Sequence, residues 1–154
     1  MTDGNFPARF VIDDYFIRDI LKNKELAVTI IRKLNHIHTK STHHPFRHNI
    51  IFDESFKKSI DDKQIRGQAI LGIAHPISIP DFLKDETNFY SKVIRYSISI
   101  ADKLPRKIII LTSPDKQKEY ENNPHYRDND VKRAIKIVSS SLAIEFIDLV
   151  SNIW

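Results

Sequence analysis

Residues 107–115 read KIIILTSPD, a continuous apolar run between polar ends. Such a run is typical of a strand that is covered on both faces, as in the interior of a parallel sheet. The Ser-Pro-Asp sequence after Thr112 ends the strand, because proline cannot take part in the hydrogen bonding of a central strand. We therefore predict a central strand over 107–112, with Asp115 just beyond its carboxyl end.

Shorter apolar runs and stretches of helical periodicity alternate on either side of this strand. The runs predict further strands at 10–12, 48–52 and 144–149, and the helical spacing of apolar side chains predicts helices at 15–22, 24–38, 55–62, 85–104 and 131–142. Alternating strands and helices are typical of a mostly parallel central sheet with helices on both faces. We predict the α/β class, with one domain over 1–154 folded as a three-layer sandwich.

An aspartate follows each of three predicted strands, at Asp13, Asp53 and Asp115. In parallel sheets the carboxyl ends of the strands meet at one edge, where ligands commonly bind. Carboxylates that converge there supply the oxygen ligands that Mg²⁺ or Mn²⁺ prefers, and such an ion can activate water and polarise a phosphoryl group. An aspartate at the end of a strand also serves as a helix N-cap or a turn residue, and both interpretations stay open.

The composition excludes several classes of enzyme and favours one class of partner. The absence of cysteine rules out thiol nucleophiles and zinc–thiolate sites. The chain has only three glycines and lacks the Gly-rich motifs of dinucleotide enzymes, P-loop NTPases and α/β-hydrolases. Residues 1–10 show no signal-peptide pattern, and no apolar run approaches the ~20 residues of a membrane span, so we expect a cytoplasmic protein without a membrane partner. The net charge of +4 favours polyanions such as RNA.

Segments that match a known family pattern extend over most of the chain. Phe10-Val11-Ile12-Asp13 leads into an apolar helix, 48–60 holds a strand and a helix, 108–115 ends in Thr and Asp, and 144–149 is a short final strand. In these features the chain resembles PIN-like ribonuclease domains. The resemblance implies a parallel sheet with an acidic pocket and Mg²⁺- or Mn²⁺-dependent cleavage of RNA phosphodiesters. It makes Asp13 the counterpart of the first catalytic acid and Asp115 the counterpart of the last.

The chain departs from the PIN-like pattern at the other acids. Asp14 and Tyr15 stand where the family has a small or hydroxyl-bearing residue followed by Asn. Ser59 falls near the second acid, with Glu54 and Asp61 as displaced candidates, and Arg95 falls near the third. The resemblance leaves two functions open. One is a metal-dependent endoribonuclease, and the other is a catalytically degenerate module that binds RNA, a protein partner or a second copy of itself as a homo-oligomer.

The candidate site residues form a metal-binding set and an RNA-binding set. The predicted metal ligands are Asp13, Asp14, Glu54, Asp115, Asp128 and Asp130, and the predicted RNA contacts are Lys57, Lys58, Arg106, Arg127 and Tyr126. Asp128 and Asp130 belong to the metal set because they follow Arg127 in a polar loop, where Arg127 could contact a phosphate while either acid completes a metal site. The basic stretches suit a phosphate backbone, and Tyr15 or Tyr126 could stack on a base near the acids.

A receiver-like phosphoacceptor domain is a third interpretation. The acidic pair at 13–14, Asp53 and Thr112 are similar to the metal-binding acids, the phosphorylated Asp and the switch hydroxyl of such domains. The gap between Asp53 and Thr112 is too long for that family, and its Lys is missing near 149–151. A histidine metal site between 36 and 48 is less favoured than a solvated loop, because His36 and His38 would point about 200° apart on a helix.

Overall fold

The computed structural model describes residues 8–23, 25–26, 28–30, 32–33, 83–103 and 107–153. The predicted strand 48–52 and helix 55–62 lie outside the described residues, as do the candidates Asp53, Glu54, Lys57, Lys58 and Arg106. The predicted helix 24–38 is helical at every described position between 25 and 33.

Three parallel strands form the described sheet. They are β1 Ala8–Ile12, β2 Lys107–Thr112 and β3 Ile135–Ser139, in the order β1-β2-β3. Ile12 pairs with Leu111, and Thr112 pairs with Ser139. The prediction that 107–112 forms a central strand is confirmed, and the apolar side chains of 108–111 are almost completely buried, as a strand with both faces covered requires.

Helices connect the strands of this α/β fold. α1 Asp14–Leu21 follows β1, and α2 Phe89–Lys103 precedes β2. α3 Gln117–Glu121, the 3₁₀ turn Pro124–Tyr126 and α4 Asn129–Ala134 lie between β2 and β3, and α5 Ser140–Ile153 follows β3. None of the described helices combines the length and the apolar character that crossing a bilayer requires.

The longest described helix, α2, begins later than the predicted residue 85 because of its cap. The Oδ1 atom of Asn88 accepts a hydrogen bond of 2.9 Å from the backbone N–H of Ser91, which satisfies a donor that the first helical turn leaves unpaired. Upstream of the cap, Glu86 accepts a hydrogen bond of 3.0 Å from Arg95. The acid that precedes this helix is thus paired with a cation on the helix itself.

One face of the sheet packs against α2. Val93, Ile94 and Ile100 recur at helical spacing and are buried. They form one cluster with residues that alternate along the strands, namely Val11, Ile108, Ile110, Ile135 and Ile137, and with Tyr120 of α3. The intervening strand residues, such as Phe10, Ile109 and Leu111, are buried as well, so the other face is also covered.

The last part of the chain corrects two predictions. A helix over 131–142 and a strand over 144–149 are wrong, because the structure has strand Ile135–Ser139 followed by helix Ser140–Ile153. Ile135 and Ile137 alternate with the exposed Lys136, which is the period of a strand. Ala143 and Ile147 are buried four residues apart, which is the period of a helix. The apolar residues of 131–138 also fit a helical spacing, and this ambiguity produced the error.

Candidate functional site

The carboxyl ends of the strands bring Asp13 and Thr112 together, as the parallel arrangement predicts. Asp13 follows β1, and its backbone N–H donates to the carbonyl oxygen of Leu111 in β2 at 3.2 Å. Thr112 ends β2 beside Ser139, which ends β3. The side chains of this edge therefore include a carboxylate and several hydroxyls.

The carboxylate of Asp13 is buried and accepts hydrogen bonds on both of its oxygens. Its Oδ1 accepts from the backbone N–H of Phe16 at 2.7 Å, which makes Asp13 the N-cap of α1. Its Oδ2 accepts from the hydroxyl of Thr112 at 2.6 Å and from the hydroxyl of Tyr120 at 2.6 Å. The side chain has no exposed surface. These three hydrogen bonds join the carboxylate that follows β1 to β2, α1 and α3.

α3 is held in place so that Tyr120 can reach Asp13. The side chain of Gln117 at the start of α3 donates to the carbonyl oxygen of Ile137 at 3.5 Å. Just past its end, the buried Asn123 donates to the hydroxyl of Ser91 in α2 at 2.9 Å. Tyr120 is itself completely buried. The helix is therefore fastened to the sheet and to α2 on either side of the residue that closes over the carboxylate.

The described residues do not fit a Mg²⁺ or Mn²⁺ ion at Asp13. Such ions are bound by carboxylates that face a solvated space, because the ion keeps several of its waters. Asp13 has no accessible surface, and hydroxyl and amide donors already occupy both of its oxygens. Within the described part of the chain, no group of three or more His, Cys, Asp or Glu side chains is arranged to hold a metal.

Asp115 lies in the turn after β2 and is exposed. Its Oδ1 accepts a hydrogen bond of 2.6 Å from the hydroxyl of Ser113. This hydrogen bond is the largest effect and lowers the pKa of Asp115. Desolvation opposes it, and a backbone hydrogen bond and the charges of Lys116 and Lys22 lower the pKa further. Asp115 is therefore a charged turn residue at physiological pH, with two lysines nearby.

Ser113→Ala is expected to raise the pKa of Asp115 towards the ordinary aspartate value, because the variant lacks the hydroxyl donor. A lowered folded-state pKa stabilises the protein above the ordinary value, and this contribution is lost as the pH falls through the folded-state pKa. Carbon-detected NMR titration of the Asp115 carboxyl measures the change directly. An unchanged titration midpoint would mean that the hydrogen bond does not form in solution.

An aromatic cluster covers the buried carboxylate and reaches the surface at Tyr15. The rings of Tyr90 and Tyr120 meet edge to face at 5.0 Å, and those of Tyr15 and Phe89 meet edge to face at 5.3 Å. The rings of Tyr15 and Tyr90 are nearly parallel at 6.2 Å. Burial, followed by a side-chain hydrogen bond with Tyr15, raises the pKa of Tyr90 above its ordinary value. Tyr90 is therefore neutral at physiological pH, and its ring is packed against those of Tyr15, Phe89 and Tyr120.

Lys116 lies over the ring of Tyr15, at the border between this cluster and solvent. Its Nζ atom is 5.1 Å from the ring centroid, a distance at which the cation is attracted to the aromatic face. Lys116 is also the residue before α3, where its side chain makes no capping hydrogen bond. The edge of the sheet thus presents an aromatic ring and an ammonium group next to Asp115 and Lys22.

The remaining predicted metal ligands are tied to local structure. Asp128 is the N-cap of α4, since its Oδ1 accepts from the backbone N–H of Asp130 at 2.7 Å. Asp130 pairs with Arg133 on the same helix, and both side chains are exposed. These acids lie in the segment that leads into the amino end of β3, whereas Asp13 follows the carboxyl end of β1. Asp14 begins α1, and its side chain lies outside the described part of the chain.

The predicted RNA contacts Tyr126 and Arg127 lie in the same segment. The hydroxyl of Tyr126 donates to the carbonyl oxygen of Ile135 at 2.8 Å, and burial raises the pKa of this half-buried tyrosine. Its ring packs against the core cluster, so Tyr126 fastens the 3₁₀ turn to β3. Arg127 is exposed directly after this turn.

The structure adds functional candidates that the sequence pattern did not single out. Tyr120 reaches Asp13 from 107 positions away in the chain. Lys116, the next residue in the chain, and Lys22, at the end of α1, are close enough to Asp115 for their charges to lower its pKa. The sequence alone shows only that Lys116 lies shortly after the predicted strand 107–112. No local pattern marks Tyr120 as a partner of Asp13, because the contact depends on how α3 docks.

No protein-family model, curated protein or solved structure matches this chain. The chemistry of the site follows from its own residues. A buried, hydrogen-bonded carboxylate joins the strands and helices at this edge of the sheet, and the half-buried Tyr15 and Lys116 contact each other at the same edge.

Proposed function

We propose that this chain is a PIN-like module, folded as a three-layer sandwich, that binds RNA without cleaving it. The observation that carries the proposal is the state of Asp13. The resemblance makes this residue the first catalytic acid, yet it accepts hydrogen bonds from Phe16, Thr112 and Tyr120 and has no exposed surface. A carboxylate in that state is a structural group, so a divalent cation has no part in the proposal.

The order of the elements supports the PIN-like part of the proposal. β1 ends at the first acid and is followed directly by a helix, and β2 ends in Thr112 and then Asp115. The short parallel strand β3 follows β2, although it lies at Ile135–Ser139 and not at 144–149. Helix α2 packs on one face of the sheet, and the strand residues of the other face are buried too, which agrees with a sandwich of three layers.

The groups exposed at the edge of the sheet support binding to RNA. Tyr15 and Lys116 lie together there, and Lys22 is near enough to act on Asp115. Aromatic rings beside cations are the usual combination for binding bases and phosphates. The net charge of +4 acts in the same direction by attracting a polyanion.

A retention and cleavage experiment tests this function. The full chain is incubated with labelled RNA in Mn²⁺ or in EDTA, and each sample is split between a native gel and a denaturing gel. We expect a shifted complex in both conditions and intact RNA in both. Asp13→Asn keeps an N-cap side chain and should leave the RNA equally intact.

The dependence of the RNA affinity on salt concentration measures how many phosphates the protein contacts. If Lys22 and Lys116 each neutralise one phosphate, the affinity should fall about 7-fold between 50 mM and 200 mM salt, from the slope of about −0.7 per phosphate for single strands. Fluorescence anisotropy at several salt concentrations measures the slope. Three outcomes would contradict the proposal. Mn²⁺-dependent cleavage that Asp13→Asn abolishes indicates a ribonuclease, and failure to retain RNA indicates a different partner such as a protein. An affinity that does not depend on salt excludes phosphate contacts.

A further inference from the structure

The ring of Tyr15 is held in one orientation by its neighbours. Tyr90 lies nearly parallel to one face, and Phe89 meets the ring edge to face. Tyr90 is in turn packed against Tyr120, whose hydroxyl donates to the buried Asp13. A ring held in this way has little conformational freedom left to lose when a ligand packs against it.

The Tyr15 ring also lies under a side chain that can be displaced. The Nζ atom of Lys116 lies 5.1 Å from the centroid, and Lys116 is only partly buried. A cation–π contact at an exposed position is worth about 0.5–1 kcal/mol. A nucleobase stacked on an aromatic side chain is worth about 1–3 kcal/mol. A base therefore competes successfully for this face, and the displaced ammonium group becomes available to a phosphate.

We propose that Tyr15 is the stacking platform for an unpaired base of single-stranded RNA, with Lys116 contacting an adjacent phosphate. This inference rests on the proposed function and names its site and its substrate class. A base in a duplex is already stacked and paired, so its faces are not offered to a protein ring. The contact to Tyr15 thus selects a strand whose bases are free.

Acidic groups near the platform limit its affinity. Asp115 is charged and lies in the turn next to Lys116, and Glu119 is close enough to contribute to the raised pKa of Tyr90. Their charges oppose that of Lys116. We therefore expect stacking to contribute more to the affinity than phosphate contacts do, and we expect the single-strand preference to persist at high salt.

Anisotropy titrations with a labelled single-stranded RNA oligonucleotide, alone or annealed to its complement, test the platform. Tyr15→Leu keeps an apolar side chain without a flat face and should weaken single-strand binding by about 5- to 150-fold, which corresponds to the loss of one stacked base. Tyr15→Phe keeps the ring and should bind within about twofold of the unmutated chain. The unmutated chain should bind the duplex more weakly than the single strand.

Lysine variants provide a matched control. Lys116→Ala should weaken binding and reduce the salt slope by about 0.7, the value for one phosphate. Lys136 also lies over an aromatic ring, at 5.0 Å from the centroid of Phe146, but it belongs to β3 and not to the edge that carries Tyr15. Lys136→Ala removes the same charge and should leave the affinity within about twofold.

NMR of the unmutated chain tests base stacking on Tyr15 directly and does not depend on whether Tyr15→Leu folds. A base stacked on Tyr15 shifts the ring protons of that residue during an RNA titration, and we expect such a shift. RNA binding without this shift, or with unchanged affinity in a folded Tyr15→Leu protein, overturns the platform and leaves the proposed function standing. Absence of RNA binding by the unmutated chain overturns the proposed function itself.

Discussion

Asp13→Ala is expected to lower the free energy of unfolding by about 3–5 kcal/mol. The variant removes the N-cap of α1, which is worth about 1 kcal/mol. It also leaves the hydroxyls of Thr112 and Tyr120 without the carboxylate that accepts their hydrogen bonds, and an unsatisfied buried polar group costs about 1–3 kcal/mol. Urea unfolding followed by circular dichroism measures the difference.

Two other variants provide a comparison for the stability lost in Asp13→Ala. Asp13→Asn keeps an N-cap oxygen and a polar group near both hydroxyls, so its cost should be smaller, about 1–2 kcal/mol. Asp128→Ala removes the N-cap of α4 at an exposed position and should cost about 1 kcal/mol or less. If Asp13→Ala costs no more than Asp128→Ala, the carboxylate does not organise the edge of the sheet.

Tyr120→Ala is expected to have an effect of similar size, about 3–5 kcal/mol, because it empties a large site in the core. The completely buried ring contacts Tyr90 and belongs to the cluster between the sheet and α2. Tyr120→Phe keeps the ring and should cost about 1–2 kcal/mol through the lost hydrogen bond to Asp13. The same urea unfolding measurements separate the contribution of the ring from that of the hydroxyl.

A double-mutant cycle identifies the partner of the Tyr120 hydroxyl. Tyr120→Phe and Asp13→Ala should be non-additive by about 0.5–3 kcal/mol, the range for residues in direct contact. Tyr126→Phe is the matched control, since it also removes a tyrosine hydroxyl but one that donates to the carbonyl oxygen of Ile135. Its effect should add to that of Asp13→Ala, and a coupling as large as that of Tyr120 would contradict the assignment.

β1, which ends just before Asp13, and β2, which ends at Thr112, could be predicted because their sequence signal is local. The runs 10–12 and 108–111 are too apolar and too short for surface helices, and both are buried strands. The position of β3 could not be predicted, because Val131, Ala134, Ile135 and Val138 satisfy a helical spacing as well. Only packing against β2 decides between the two interpretations, and a single sequence contains no information on that contact.

The sequence predicted that acids at the ends of parallel strands meet at one edge of the sheet, and the described strands are parallel. The hydrogen bond between Asp13 and Thr112 at that edge was not predicted. The choice between a cap and a ligand for Asp13 depends on burial and on Tyr120, which is brought in by the docking of α3. The proximity of Lys116 to Asp115 is local, because the two residues are adjacent in the chain, whereas that of Lys22 depends on the fold. The pattern of strands and helices therefore predicts which edge of the sheet carries these side chains. Side-chain packing determines whether they bind a ligand or stabilise the fold.

Whether the buried carboxylate of Asp13 is inaccessible to a cation can be tested with Mn²⁺, whose unpaired electrons broaden the NMR signals of nearby nuclei. Amide spectra of the unmutated chain and of Asp13→Asn are recorded during a Mn²⁺ titration, with attention to residues 13–16 and 112–120. We predict no saturable broadening of these signals at stoichiometric metal in either protein. Saturable broadening in the unmutated chain that disappears in Asp13→Asn would contradict the account, because it would mean that the carboxylate opens to bind a cation.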